Sequence, residues 1–149
     1  RLPSLPLLYA IIEHLHDEKN PKAGLLLKEL KDSWMCTSTR IDYSRNIIIH
    51  DYGLELRQAI PEGNHFFNDI TDKRAWQDSL RALLMCKDVK KAKEVLGGFS
   101  GVPPYIWTAD DRKEIPLRAA FVDVGAGKFL LGCYYVLNAH GFSRSVVDG

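Results

Sequence analysis

The sequence predicts an α+β domain in which helices pack around a small, twisted, mainly antiparallel sheet. Apolar residues recur at helical spacing over residues 5–15, 23–30, 76–84 and 92–99. Aromatic and β-branched runs fill residues 34–39, 46–50 and much of 105–147. Clusters of Gly, Pro and Asn separate the two kinds of segment.

A chain of 149 residues, 46% hydrophobic and 26% charged, has the size and composition of one domain with a genuine core. Twenty basic and nineteen acidic residues leave a net charge of +1, which gives no general attraction to nucleic acid or to an anionic membrane. No apolar run approaches the roughly 18 residues of a membrane span, so membrane insertion is not expected either. No leader pattern is read at Arg1, and a chain opening on Arg rather than Met is expected to have lost residues.

The first helix is expected where Leu5, Leu8, Ile11, Ile12 and Leu15 share a face, with Ser4 as N-cap and Pro6 tolerated in the first turn. His14, His16 and Asp17 at its end read as a solvated terminus, because no further His or Cys lies within metal-ligand spacing. Asn20 before Pro21 predicts the start of a second helix, whose apolar face is Ala23, Leu26, Leu27 and Leu30. Residues 34–39 then suit a strand, and Asn46 to His50, with three successive isoleucines, a buried one closed by a turn at Tyr52 and Gly53. His50 and Asp51 are not expected to act as a dyad, since adjacent strand residues point to opposite faces.

Residues 54–69 read as a loop around Pro61, Glu62, Gly63 and Asn64. Thr71 or Asp72 is expected to cap a third helix with a stripe of Trp76, Leu80, Leu83 and Leu84. Asp88 should cap a fourth, carrying Ala92, Val95, Leu96 and Phe99 and ended by Gly97 and Gly98, with Lys87, Lys90, Lys91 and Lys93 on a solvated outer face. A weak internal echo places Trp34 thirteen residues before Ile47 and Trp107 thirteen residues before Ala120, as two hairpins of one sheet would.

Cys36, Cys86 and Cys133 are too few and too widely spaced for a disulfide framework or paired zinc ligands, and read as reduced core thiols; Cys133 with His140 is the sharper, catalytic alternative. The stretch DVGAGKF, Asp123 to Phe129, superficially suggests a phosphate loop. Such a loop needs Gly where Val122 stands, Ser or Thr where Phe129 stands, and a helix after it, so a tight hairpin turn is expected instead. Tyr134, Tyr135, Asn138 and His140 combine rigid amphipathic rings with adaptable hydrogen-bonding groups, the mixture of a contact surface. No cofactor and no metal are implied, and this segment lacks the oxygen-ligand cluster of a calcium site.

Arg1, Leu2, Pro3 and Ser4 before an apolar helix, Trp107 with Thr108, Arg118, Ala119 and Ala120 opening a strand, Phe129 to Cys133, and the closing Ser143, Arg144, Ser145 and Val146 together resemble a known family. The resemblance is to C-type-lectin-like domains related to the formylglycine-generating-enzyme fold, and more narrowly to the variable proteins of diversity-generating retroelements. It implies one lectin-like domain over residues 1–149, with a helical insertion at 70–100 and a late variable segment at 105–147. Scaffold roles would fall to Trp107, Arg118, Ala119, Ala120, Phe129, Leu131, Cys133, Ser143, Arg144 and Val146. The ligand-binding face would be Phe121, Asp123, Gly125, Ala126, Gly127, Gly132, Tyr134, Tyr135, Leu137, Asn138, Ala139 and His140.

The implied function is non-catalytic recognition of a protein or surface ligand by a diversified segment displayed on a virion or cell surface. Two alternatives stand beside it: a Cys-dependent enzyme of the formylglycine-generating type using Cys133 or Cys36, and an assembly module that uses its helices as the interface.

Overall fold

The computed structural model describes residues 2–136. Expectations placed on Leu137, Asn138, Ala139, His140, Ser143, Arg144 and Val146 therefore lie outside the described residues. Helix α1 spans Leu5–Asp17; the Ser4 hydroxyl caps it by accepting from the Leu7 amide, and Leu5, Leu8, Tyr9 and Ile12 form its buried stripe. Helix α2 spans Lys22–Asp32, with the Asn20 side chain accepting from the Lys22 amide. A short helix α3 (Phe67–Ile70) precedes α4 (Arg74–Leu84), which buries Trp76, Leu80, Leu83 and Leu84. Helix α5 spans Val89–Ser100, and its Asp88 cap accepts from the Lys90 and Lys91 amides.

Seven strands form one open sheet: β1 (Met35–Asp42), β2 (Ile47–His50), β3 (Leu54–Arg57), β4 (Asn64–Phe66), β5 (Pro104–Thr108), β6 (Leu117–Gly125) and β7 (Lys128–Val136). Their order is β3-β2-β1-β6-β7-β5-β4, antiparallel throughout except for the parallel pair β5 and β7. The architecture is thus α+β and mainly antiparallel. Ala120, Val122, Val124, Phe129, Leu131 and Cys133 on one face of β6 and β7 join the buried stripes of α1, α4 and α5 and Leu30 of α2 in a single apolar core. None of the described helices is long and apolar enough to cross a membrane.

Four local expectations are corrected. Residues 54–69 hold β3, β4 and α3 rather than a loop, because segments of three or four residues are too short to show periodicity. Helix α4 begins after Lys73, with no side-chain cap from Thr71 or Asp72. Gly97 and Gly98 lie inside α5, which stops only at Gly101, where a φ of +75° suits a residue without Cβ. The second half of the internal echo is not a hairpin, since β5 pairs with β7 and the chain crosses over to reach β6.

A buried polar relay ties the helical layer to the sheet. His50, 1% exposed, places Nε2 2.8 Å from the Ala82 carbonyl and Nδ1 2.9 Å from the Thr39 hydroxyl. A carbonyl can only accept, so Nε2 carries the proton and Nδ1 accepts from Thr39, whose oxygen accepts in turn from the Leu5 amide. The ring is fully satisfied while neutral, and burial lowers its pKa against the opposing pull of the Ala82 hydrogen bond and of Asp51. Below the ordinary imidazole value the unfolded chain takes up a proton that the folded chain refuses. Stability is therefore fully present above about pH 6.5 and falls toward acid at up to roughly 1.4 kcal/mol per pH unit. Denaturant unfolding between pH 7.5 and 5 should show this slope, and His50→Gln should flatten it.

Candidate functional site

The sheet face opposite the helices is shaped by two irregularities that meet at Ala120. On the β1 side, Cys36 pairs with Phe121 and Arg40 with Ala119, so Thr37, Ser38 and Thr39 together face Ala120. On the β7 side, Tyr135 pairs with Ala119 and Gly132 with Phe121, so Cys133 and Tyr134 face the same residue. Bulges leave ladder groups unpaired and bend the strand. Here the orphaned groups find partners: the Thr37 hydroxyl donates to the Ala120 carbonyl at 2.7 Å, the Tyr43 hydroxyl to the Cys133 carbonyl at 2.6 Å, and Arg118 Nη1 to the Tyr134 carbonyl at 2.9 Å.

Arg118 is 2% exposed, and its other guanidinium donors reach the Ile115 carbonyl and Asp111. It thereby joins the β5–β6 crossover to the β7 bulge. The neighbouring Arg112 stacks over the Tyr43 ring at 4.3 Å and donates to the carbonyls of Ile60 and Pro61.

The β7 bulge decides where the rings go. Consecutive residues of a regular strand point to opposite faces, yet Tyr134 and Tyr135 join one aromatic group. Tyr134 lies 5.0 Å from Phe121 and 4.8 Å from Trp107, whereas Tyr135 lies 5.2 Å from Trp34, itself 5.5 Å from Phe121. Register explains the packing: Trp107, Gly132, Phe121 and Cys36 form one row across β5, β7, β6 and β1. Gly132 is required in that row, because a Cβ there would stand 2.3 Å from the Phe121 ring. The adjacent row is Phe66, Tyr105, Leu130 and Asp123. Between the rows a cleft of about 270 Å³ opens, lined by Trp34, Phe121, Asp123, Leu130, Tyr134 and Tyr135.

Of the residues expected at the binding face, Phe121, Asp123, Tyr134 and Tyr135 line this cleft, and Gly132 lies beneath the Phe121 ring. Phe121 is only 7% exposed and serves as floor more than as contact. Gly125, Ala126 and Gly127 are exposed at the β6–β7 turn; positive φ at Ala126 and Gly127 between the paired Gly125 and Lys128 makes it a type I′ hairpin turn, with a strand, not a helix, after it. Sequence reasoning missed Trp34 and Leu130 and gave Trp107 a scaffold role, although Trp107 is 41% exposed against Tyr134. Arg118, Ala119, Ala120, Phe129, Leu131 and Cys133 are buried.

Two other depressions have a different character. A groove of about 360 Å³ between α1 and the α4–α5 turn contains Glu13, which accepts from the Tyr9 hydroxyl, and Lys91, which pairs with Asp17. Its Cys86 thiol is pushed up to about 11 by burial and stays protonated at neutral pH. A depression of about 340 Å³ at Arg45 and Arg57 has its first arginine bound to Asp42 at 2.7 Å. Cys133 is fully buried, and desolvation pushes its thiol up to about 12. Among the described residues, no three metal-capable side chains group together.

Arg118→Met should cost about 2–4 kcal/mol, because it leaves the Tyr134 and Ile115 carbonyls without donors. Denaturant unfolding measures the loss, and the tryptophan near-ultraviolet circular dichroism should weaken with it. Gly132→Ala should cost about 1–3 kcal/mol by overpacking the Phe121 ring. Adding Phe121→Leu should recover part of that loss, giving a double-mutant cycle well short of additive.

Comparison of the chain with protein-family models, curated proteins and solved structures returns no match, so its function must be argued from the geometry of this face.

Proposed function

We propose that the chain is a non-catalytic recognition domain that binds a protein or surface ligand through the aromatic cleft on its open sheet face. The observation that carries this reading is the cleft itself. Rings from β6, β7 and the residue preceding β1 converge on the side away from the helices, over a backbone whose irregular carbonyls are already satisfied. Aromatic residues supply large contact area at low conformational cost, which is why recognition surfaces favour them.

The finer proposal is that the scaffold is C-type-lectin-like and that its late segment is diversified by a retroelement for display on a virion or cell surface. Supporting it is the separation of side chains along β6 and β7. Ala120, Val122, Leu131 and Cys133 hold the core, while Asp123, Tyr134 and Tyr135 point to the other side and can change without entering it. The rival reading, thiol chemistry at Cys133, gains no support from a fully buried thiol held protonated.

Two measurements test the proposal. Asp123→Ser and Tyr135→Ser should each alter unfolding free energy by less than about 1 kcal/mol, whereas Leu131→Ala should cost about 2–5 kcal/mol. Equal sensitivity at both sets would remove the division into scaffold and face. Sequencing the DNA around the coding region should reveal a near-identical copy of its 3′ segment, differing mainly at adenines, beside a reverse transcriptase gene. A single-copy 3′ segment without that gene nearby would eliminate diversification and leave recognition to stand alone.

A further inference from the structure

We infer that the aromatic cleft receives the ammonium head of a lysine side chain presented by a partner protein, with Asp123 as its counter-charge; this rests on the recognition reading above. The cleft joins electron-rich rings to one carboxylate, since Trp34, Phe121, Tyr134 and Tyr135 border it together with Asp123 and Leu130. A cation beside aromatic faces is attracted by their quadrupole, and a carboxylate at the same place adds direct charge complementarity.

Asp123 is placed for this role. It sits across from Leu130 in the cleft, and no hydrogen bond or ion pair engages its carboxylate among the described residues. Its charge is felt within the cleft: after burial, Asp123 is the cause that holds the Tyr134 hydroxyl above its ordinary pKa. The next residue on the same face of β6 is Gly125, where even an added Cβ would come no closer than 4.0 Å to the Asp123 carboxylate, so access from that side is open.

Two of the chain's own cations already sit over ring faces. Lys128, at the end of the adjoining strand, lies over the Tyr105 ring at 4.3 Å, and Arg112 lies over Tyr43. Both contacts show that the fold already uses ring faces to hold cations, while none of the described residues that line the cleft is cationic. Rings on several sides of a single carboxylate suit a compact ammonium, which has no preferred plane. A guanidinium is planar and favours stacking on one ring with a bidentate acceptor beside it.

The test uses N-acetyl-lysine methylamide, its norleucine counterpart and its arginine counterpart, each titrated into the full chain while the Trp34 indole N–H is followed by NMR. The lysine compound should give saturable shifts with a dissociation constant on the order of millimolar. The norleucine and arginine compounds should bind at least about fivefold more weakly, and Asp123→Asn should weaken lysine binding by a similar factor. A thermal unfolding midpoint unchanged by Asp123→Asn would show that the loss is one of binding. Equal binding of norleucine would overturn the cation assignment while leaving an apolar recognition face intact. Tighter binding of arginine, indifference to Asp123→Asn, or a Trp34 signal that no compound moves would each overturn it as well, and the substitution series at Asp123, Tyr135 and Leu131 reports independently on the recognition reading.

Discussion

The open face depends on how the sheet absorbs extra residues on both sides of Ala120. Without the β7 bulge, Tyr134 and Tyr135 would project to opposite faces, and one ring would have to enter a core already filled by Phe129, Leu131 and Cys133. A bulge leaves carbonyls stranded in a buried setting, and each stranded carbonyl costs about 1–3 kcal/mol unless a donor reaches it. Tyr43 and Arg118 are those donors. Arg118 does so from an almost fully buried position that is itself tolerable only because Ile115, Asp111 and Tyr134 share its donors.

The same logic of internal satisfaction runs through the other polar groups. Thr37, Thr39 and His50 form a chain of donors and acceptors from the first turn of α1 to the end of α4, and among the described residues no buried side-chain nitrogen or oxygen lacks a partner. A sheet whose irregularities are closed from within can present side chains outward without relying on them for order. The two faces are accordingly different: one is sealed by the helices, and the other carries rings that contact one another and leave a cleft.

Helices were legible in the sequence because their signals are local. Ser4 and Asp88 cap within three residues of the groups they serve, and the apolar stripes of α1, α4 and α5 repeat often enough to show their period. β4 was not legible, since its partner β5 is remote in sequence, and β3, although it pairs with the neighbouring β2, is too short to show an alternation. Alternation could not reveal that Tyr134 and Tyr135 share a face, because the bulge that unites them is held by Arg118 and by Tyr43, ninety positions from the carbonyl it caps. Trp34 stood out only as a member of a faint echo, and Trp107 there and as an expected scaffold residue. Their common feature proves to be position: each belongs to the ring group on the open face, at opposite ends of it.

The parallel pairing of β5 with β7 carries a consequence for how this chain folds. The β6–β7 hairpin closes through a two-residue turn and can form early, bringing Phe121 and Tyr134 together with little loss of loop entropy. Trp34 and Trp107 arrive only when β1, from far upstream, and β5, by way of the crossover, dock on its two edges. Contacts so distant in sequence are the slow ones. The cleft is thus a late product of folding, and a chain whose hairpin has formed but whose edges are still open would expose Phe121 and Tyr134 before their tryptophan partners cover them.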